Sequence, residues 1–190
     1  MNTLAVHLWP GPTPTPQDGL FAILIHTTAE QQRDAARRKI RLVARETLAA
    51  VLHRPTNDIS ITSAPGTPPL ILLAGFTSHI GCSFSHDGDY ALAAFNLQGP
   101  IGADLMHVQD VPDWQTVARD YLGPTVTAAL QTTSDRPHAF TQAWTQREAA
   151  LKCHAQQISE WQADLPGQSI SLALPVAGLL GHIHIGDRSA

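Results

Sequence analysis

Cysteine is almost missing from this chain: its 190 residues include two, Cys82 and Cys153. Two thiols cannot build the disulfide framework of a small secreted domain. A reducing compartment is therefore expected, and the cytoplasm is the default. A basic excess is missing as well. Twelve Lys and Arg stand against sixteen Asp and Glu, for a net charge of −4. That balance does not suit a nucleic-acid backbone, so a nucleic-acid partner is not expected. No apolar run reaches the length of a membrane span, and "MNTLAVHLWPGPTPTP" has no basic region ahead of an apolar one. Neither a membrane partner nor a signal peptide is expected. Also missing are HExxH, the P-loop, GxSxG and a GxGxxG followed by an acid, and the ten histidines show no zinc spacing.

The hydrophobic share is 43%, which suits one or two small domains with a real core. "LAVHLW" reads as a strand, "GPTPTPQDG" as a loop and "LFAILIH" as a second strand. From Ala29 to about His53 the period becomes helical: Ile40, Val43, Ala44, Thr47, Leu48, Val51 and Leu52 share a face. Arg37, Arg41 and Arg45 recur in four-residue steps on the other side, either as a solvated face or as a phosphate-facing stripe. Ser63 to Pro69 is a loop. "GCSFSHDGDYALAAFNL" reads as strand, turn, strand, with Asp87-Gly88 as the hairpin signal.

"GPIGADLMHV" is a further strand, with Ile101, Ala103 and Leu105 facing one way and Gly102, Asp104 and Met106 the other. Val111 to Leu130 is mostly helical with a break at Gly123-Pro124. "TTSDRP" is a loop before a helix containing "AWTQREAALK", and "SISLALP" and "GHIHIGD" close the chain as strands. Residues 1–98 and 99–190 thus share an order of strand, long helix, strands. The predicted fold is α+β: two similar α+β subdomains forming a pseudo-dimer within a monomeric chain, each a small antiparallel sheet packed on a long helix.

Several side chains could carry chemistry. Trp144, Glu148 and Lys152 lie in four-residue steps, nearly in line along one helix. They could be a core anchor with a surface ion pair, or a metal-binding carboxylate beside a phosphate-holding cation. Asp104 is a lone acid in an apolar strand, so it is paired, bound to a metal, or half in solvent. Ser85 and His86 precede a tight turn. His182 and His184 would face one side of a strand without a third ligand, so structural roles are expected for them.

Three of these segments, in order, resemble the surfactin-type 4′-phosphopantetheinyl transferases: "FSHDGDYALAAF", "IGADL" and "WTQREAALK". That family shows a Ser-His before a hairpin, a Gly-x-Asp-x-Glu strand and a Trp-x-x-Lys-Glu-x-x-x-Lys helix. "VHLW" and the Arg-rich helix fit its first half, so the resemblance covers roughly residues 4 to 155. It implies transfer of the 4′-phosphopantetheine arm of coenzyme A to a serine of an acyl or peptidyl carrier protein, with magnesium, releasing 3′,5′-ADP. On this resemblance Asp104 and Glu148 hold the metal, which places the metal site in residues 99–190. Glu148 and Lys152 are catalytic, and Arg41, Arg45, Ser85, His86 and Lys152 bind the coenzyme.

The chain departs from the family pattern at several positions. Met106 stands in place of the second acid, Arg147 in place of a lysine, Val126 in place of a glutamate and Thr67 in place of a basic residue. "CHAQQIS" lacks the usual glycines. Two alternatives follow. One is a catalytically impaired member that binds the carrier protein or coenzyme A. The other is a structural α+β domain in which Glu148 and Lys152 form only a surface pair.

Overall fold

The computed structural model describes residues 3–27, 33–64 and 66–186. Their elements run β1 (Thr3–Trp9), β2 (Leu20–His26), α1 (Arg33–Leu52), β3 (Ile59–Thr62), β4 (Leu70–Leu73), β5 (Phe76–Thr77), β6 (Gly81–Asp87) and β7 (Tyr90–Asn96). Then come β8 (Ile101–His107), α2 (Trp114–Val117), α3 (Gly123–Thr132), α4 (Arg136–Cys153), β9 (Gln168–Ala173) and β10 (Leu179–Ile185). Among the described residues no helix is long and apolar enough to cross a membrane.

The class is α+β, as the sequence predicts, but the sheet arrangement needs a correction. Two separate small sheets are expected; the structure joins seven strands in the order β6-β7-β2-β1-β9-β10-β8. β1 makes the join, running parallel to β2 on one side and to β9 on the other, while the remaining pairs are antiparallel. A strand between two open edges satisfies the backbone groups of both, which is the physical reason the sheets do not stay apart. On either side of β1 the same connectivity recurs. β2-α1-β6-β7 gives the order β6-β7-β2, and β8-α4-β9-β10 gives β9-β10-β8. A three-stranded sheet, β3-β4-β5, is additional and was not anticipated from the sequence.

Two cores explain the apolar runs. Phe21, Ile23 and Ile25 of β2 pack with Ile40, Val43, Ala44 and Leu48 of α1. Leu20, Ala22 and Leu24, on the other face of β2, pack with Ile101, Ala103 and Leu105 of β8 and with Ile170 and Ile183 of β9 and β10. A strand buried on both faces needs no polar alternation, so "LFAILIH" reads as one continuous apolar run. The sheet therefore folds back on itself, with α1 outside one end and α4 outside the other.

Local signals account for most boundaries. Asp135 accepts the His138 N–H at 3.2 Å and caps α4, with Pro137 in the first turn. The break expected at Gly123 separates α3 from a π-type turn over residues 118–122, and Gly123 has φ +86°. The hairpin turn is shifted by one residue from the sequence reading. Asp87 pairs with Tyr90, so Gly88 (φ +52°) and Asp89 form the turn, with glycine at its first central position. The expected start of the first helix, residues 29–32, lies outside the described residues.

Candidate active site

Gly102 decides how close α4 can come to the sheet. A Cβ there would collide with the Ala149 carbonyl and the Cys153 amide, so the helix backbone rests directly on β8. Two residues further along the same face is Asp104, which is buried rather than half in solvent. Lys152, in the last turn of α4, donates to Asp104 Oδ1 at 2.7 Å and to the Ala103 carbonyl at 3.1 Å. Ser85 donates its hydroxyl to the same Oδ1 at 2.8 Å. A buried carboxylate is costly without such partners. The sequence left open whether Asp104 is paired; it is.

Glu148 lies one turn before Lys152. Burial, then the nearby charge of Asp104, pushes its carboxyl above the usual glutamate range, while Lys152 pulls the other way. The two carboxylates thus sense each other across the β8–α4 contact. They offer hard oxygen donors only, which fits a magnesium ion that takes few protein ligands and keeps several waters. Among the described residues no group of three or more His, Cys, Asp or Glu could hold a metal. Met106 agrees with that count, since it follows Asp104 on the same face and borders the same space.

That space is a cleft of about 1020 Å³. Asp104 and Met106 of β8 and Glu148 and Lys152 of α4 form one wall. Ser85 and His86 of β6, Arg37 and Arg41 of α1, and residues 63, 64 and 66–69 border it elsewhere. Its size suits a cofactor-scale ligand. Arg41 donates to Ser63 Oγ at 2.6 Å, and its guanidinium lies 5.1 Å from the centre of the Phe84 ring.

Two residues expected to bind the coenzyme, Arg45 and Ser85, have surroundings of their own. Arg45 does not border the cleft; it lines a neighbouring pocket with Arg41, Leu42, Ser60 and Ile61. Ser85 does border the cleft, but its hydroxyl is engaged with Asp104 and with the Leu105 N–H. Trp144, Glu148 and Lys152 have the same spacing as Arg37, Arg41 and Arg45 and the same drift around the helix, and all three reach the cleft. Trp144 also stacks on Phe140 at 6.1 Å and meets Tyr121 edge-on at 6.2 Å, which ties α4 to the small helical layer.

His182 sits beside Asp104 in the β8–β10 register, beneath α4 rather than in the cleft. Its Nδ1 lies 2.8 Å from Thr145 Oγ1, and its Nε2 is near Ser171 Oγ (3.2 Å) and Gln146 Nε2 (3.3 Å). Burial lowers its pKa to about 4. His184 bonds the Pro166 carbonyl at 3.0 Å. Both are hydrogen-bonded sheet histidines. Sequence reasoning missed the role of Gly102, although a glycine inside a strand is itself a signal of close backbone approach. It also missed Asp87, which bonds His107 across the β6–β8 seam at 2.7 Å.

No curated protein matches the chain. Residues 100–173, which carry β8, the helices α2 to α4 and β9, and with them Asp104, Glu148 and Lys152, match the family model of the 4′-phosphopantetheinyl transferase superfamily.

Proposed function

We propose that this chain transfers the 4′-phosphopantetheine arm of coenzyme A to a serine of an acyl or peptidyl carrier protein, with magnesium, releasing 3′,5′-ADP. The observation that carries the reading is Asp104, Glu148 and Lys152 meeting at one wall of the cleft, inside the segment that matches the superfamily. The carrier serine Oγ attacks the phosphorus that bears the pantetheine arm. A new P–O bond forms, the bond from that phosphorus to the bridging oxygen breaks, and 3′,5′-ADP leaves with the electron pair.

The serine proton goes to Glu148. Lys152 and Arg41, with Arg37 one turn earlier in α1, set positive charge around the pyrophosphate, which such transfers need most. His86 offers the coenzyme a further hydrogen-bonding group at the cleft. Asp104 and Glu148 would hold magnesium, which supplies charge neutralisation at the pyrophosphate oxygens.

The surfactin-type assignment within the superfamily rests on the first half: "FSHDGDYALAAF" supplies Ser85 and His86 to the same cleft. The connectivity repeated on either side of β1 supports a pseudo-dimeric monomer divided near Gly99. A cytoplasmic location accords with the sparse cysteines.

The test is incubation of apo carrier proteins of the fatty-acid, polyketide and nonribosomal-peptide types with coenzyme A, magnesium and this chain, followed by intact mass measurement. At least one carrier should gain one phosphopantetheine. A folded chain that modifies none of them overturns the reading.

A further inference from the structure

The two edge strands of the seven-stranded sheet, β6 and β8, lie side by side, yet no strand-to-strand pairing joins them among the described residues. Side chains close the seam instead. The N–H groups of Ala103, Leu105 and His107 donate to Ser83 Oγ (2.9 Å), Ser85 Oγ (3.2 Å) and Asp87 Oδ2 (2.6 Å). The spacing is two on both strands, so one face of "CSFSHD" serves as a row of acceptors along β8. An edge strand with buried N–H groups needs such partners.

The middle rung differs from its neighbours. A serine hydroxyl has one proton and two acceptor sites. Ser85 accepts from Leu105 N–H, and its single proton goes to Asp104 Oδ1. None remains for a phosphate oxygen, which can only accept. Lys152 donates to the same Oδ1, so that oxygen is held from two sides, by the seam and by α4. The second oxygen, Oδ2, is then the one a cation would take.

We propose that Ser85 is a positioning residue that fixes the Asp104 carboxylate for the metal ion, and is not a ligand of the coenzyme. The inference rests on the transferase reading above. Partners of this kind, one shell out from a metal ligand, typically contribute 10–100-fold to metal affinity.

The experiment measures Mn2+ binding by water proton relaxation with coenzyme A at saturation, and coenzyme A binding by calorimetry without metal. Both use the full chain as wild type, Ser85→Ala, Ser85→Thr and Ser83→Ala. Ser85→Ala should weaken Mn2+ binding about 10-fold and leave coenzyme A affinity within about twofold. Ser85→Thr keeps the hydroxyl and should restore Mn2+ affinity. Ser83→Ala removes a rung that does not touch Asp104; it should lower Tm while leaving Mn2+ affinity alone, and it separates positioning from general loosening of the seam. A Ser85→Ala variant that loses coenzyme A affinity but keeps Mn2+ affinity overturns the inference. So does an equal Mn2+ loss in Ser83→Ala, or a wild type that binds no Mn2+. Neither measurement needs a carrier protein or turnover, so a chain that transfers nothing defeats the functional proposal and leaves this comparison readable.

Discussion

Lys152 Nζ and Asp104 Oδ1 lie 2.7 Å apart, joining the last turn of α4 to the strand beneath it. The pair exists because Gly102 lets the helix backbone touch β8. In Gly102→Ala the added methyl meets backbone atoms of α4, which cannot swing aside as a flexible side chain could. The helix must lift, carrying Glu148 and Lys152 with it. Overpacking of this kind costs about 1–3 kcal/mol, so Tm should fall by several degrees. Transfer at a temperature where the variant is folded should fall about 100-fold, since a misplacement near 1 Å can do that. Wild-type turnover in a folded Gly102→Ala would show that the helix position does not matter.

Glu148→Gln should stop transfer and stabilise the protein. Burial and the Asp104 charge both disfavour ionised Glu148 in the fold. A carboxyl raised in the folded state is tolerated best below its unfolded pKa, and that tolerance is lost as pH rises through the folded pKa. At neutral pH without metal, the neutral amide should therefore raise Tm. The scale is about 2–4 °C for each ~1 kcal/mol in a chain of this length. Thermal melts and carrier modification, measured on the same samples, check both halves. A variant with lowered Tm and intact turnover would contradict the strained-carboxylate account.

How much of this was legible in the sequence depends on whether the signal was local. The line Trp144, Glu148, Lys152 follows from helical period alone, and the opposite facing of Ala103 and Asp104 from strand period. What Asp104 meets there was not legible, because Ser85 is nineteen residues away on another edge strand. The join through β1 was hidden for the same reason: pairing between β1 and β9 links residues near 4 and 172, and nothing local announces it. Which arginines of α1 border the cleft was not legible either, because helical period relates them to one another and not to the partner strands and loops that form the cleft. The small sheet β3-β4-β5 lies in short segments where a few apolar residues do not distinguish strand from loop.

His182 sets an acid limit on stability. Its pKa is lowered by burial to about 4, against about 6.5 when unfolded. The neutral ring's contribution is fully present above pH 6.5 and drains away as pH falls towards 4, because the unfolded chain takes up a proton that the fold resists. The shift amounts to roughly 3 kcal/mol. Urea midpoints for wild type and His182→Gln between pH 4 and 7.5 should show a steeper acid loss in wild type. Parallel profiles would mean that the ring is not held neutral.

The two arginines of α1 should separate cleanly. Arg41 borders the cleft and Arg45 does not. Losing a charge-assisted hydrogen bond costs about 1.5–3 kcal/mol, so Arg41→Ala should weaken coenzyme A binding by about 10-fold or more. Arg45→Ala should change it by less than about twofold. Calorimetric titration with coenzyme A decides, and an equal loss in both variants would return Arg45 to the site.

Met106 tests the metal side. It follows Asp104 on the same face of β8 and borders the same cleft, where its thioether offers a hard cation nothing useful. With two carboxylates and the Lys152 ammonium bonded to one of them, the first shell carries little negative charge of its own. Magnesium affinity without coenzyme A should be poor in wild type, and the pyrophosphate should supply the oxygens the protein lacks. Met106→Glu adds a third carboxylate on that wall. Half-saturation of carrier modification should move to lower magnesium, and metal binding without coenzyme should become measurable. The added acid also brings repulsion with Asp104 and Glu148, so Tm without metal should drop and recover on adding magnesium. Titrations of turnover and of Tm against magnesium, on wild type and variant together, check this. If Met106→Glu leaves both curves where wild type has them, position 106 does not face the metal and the two-carboxylate site is misplaced.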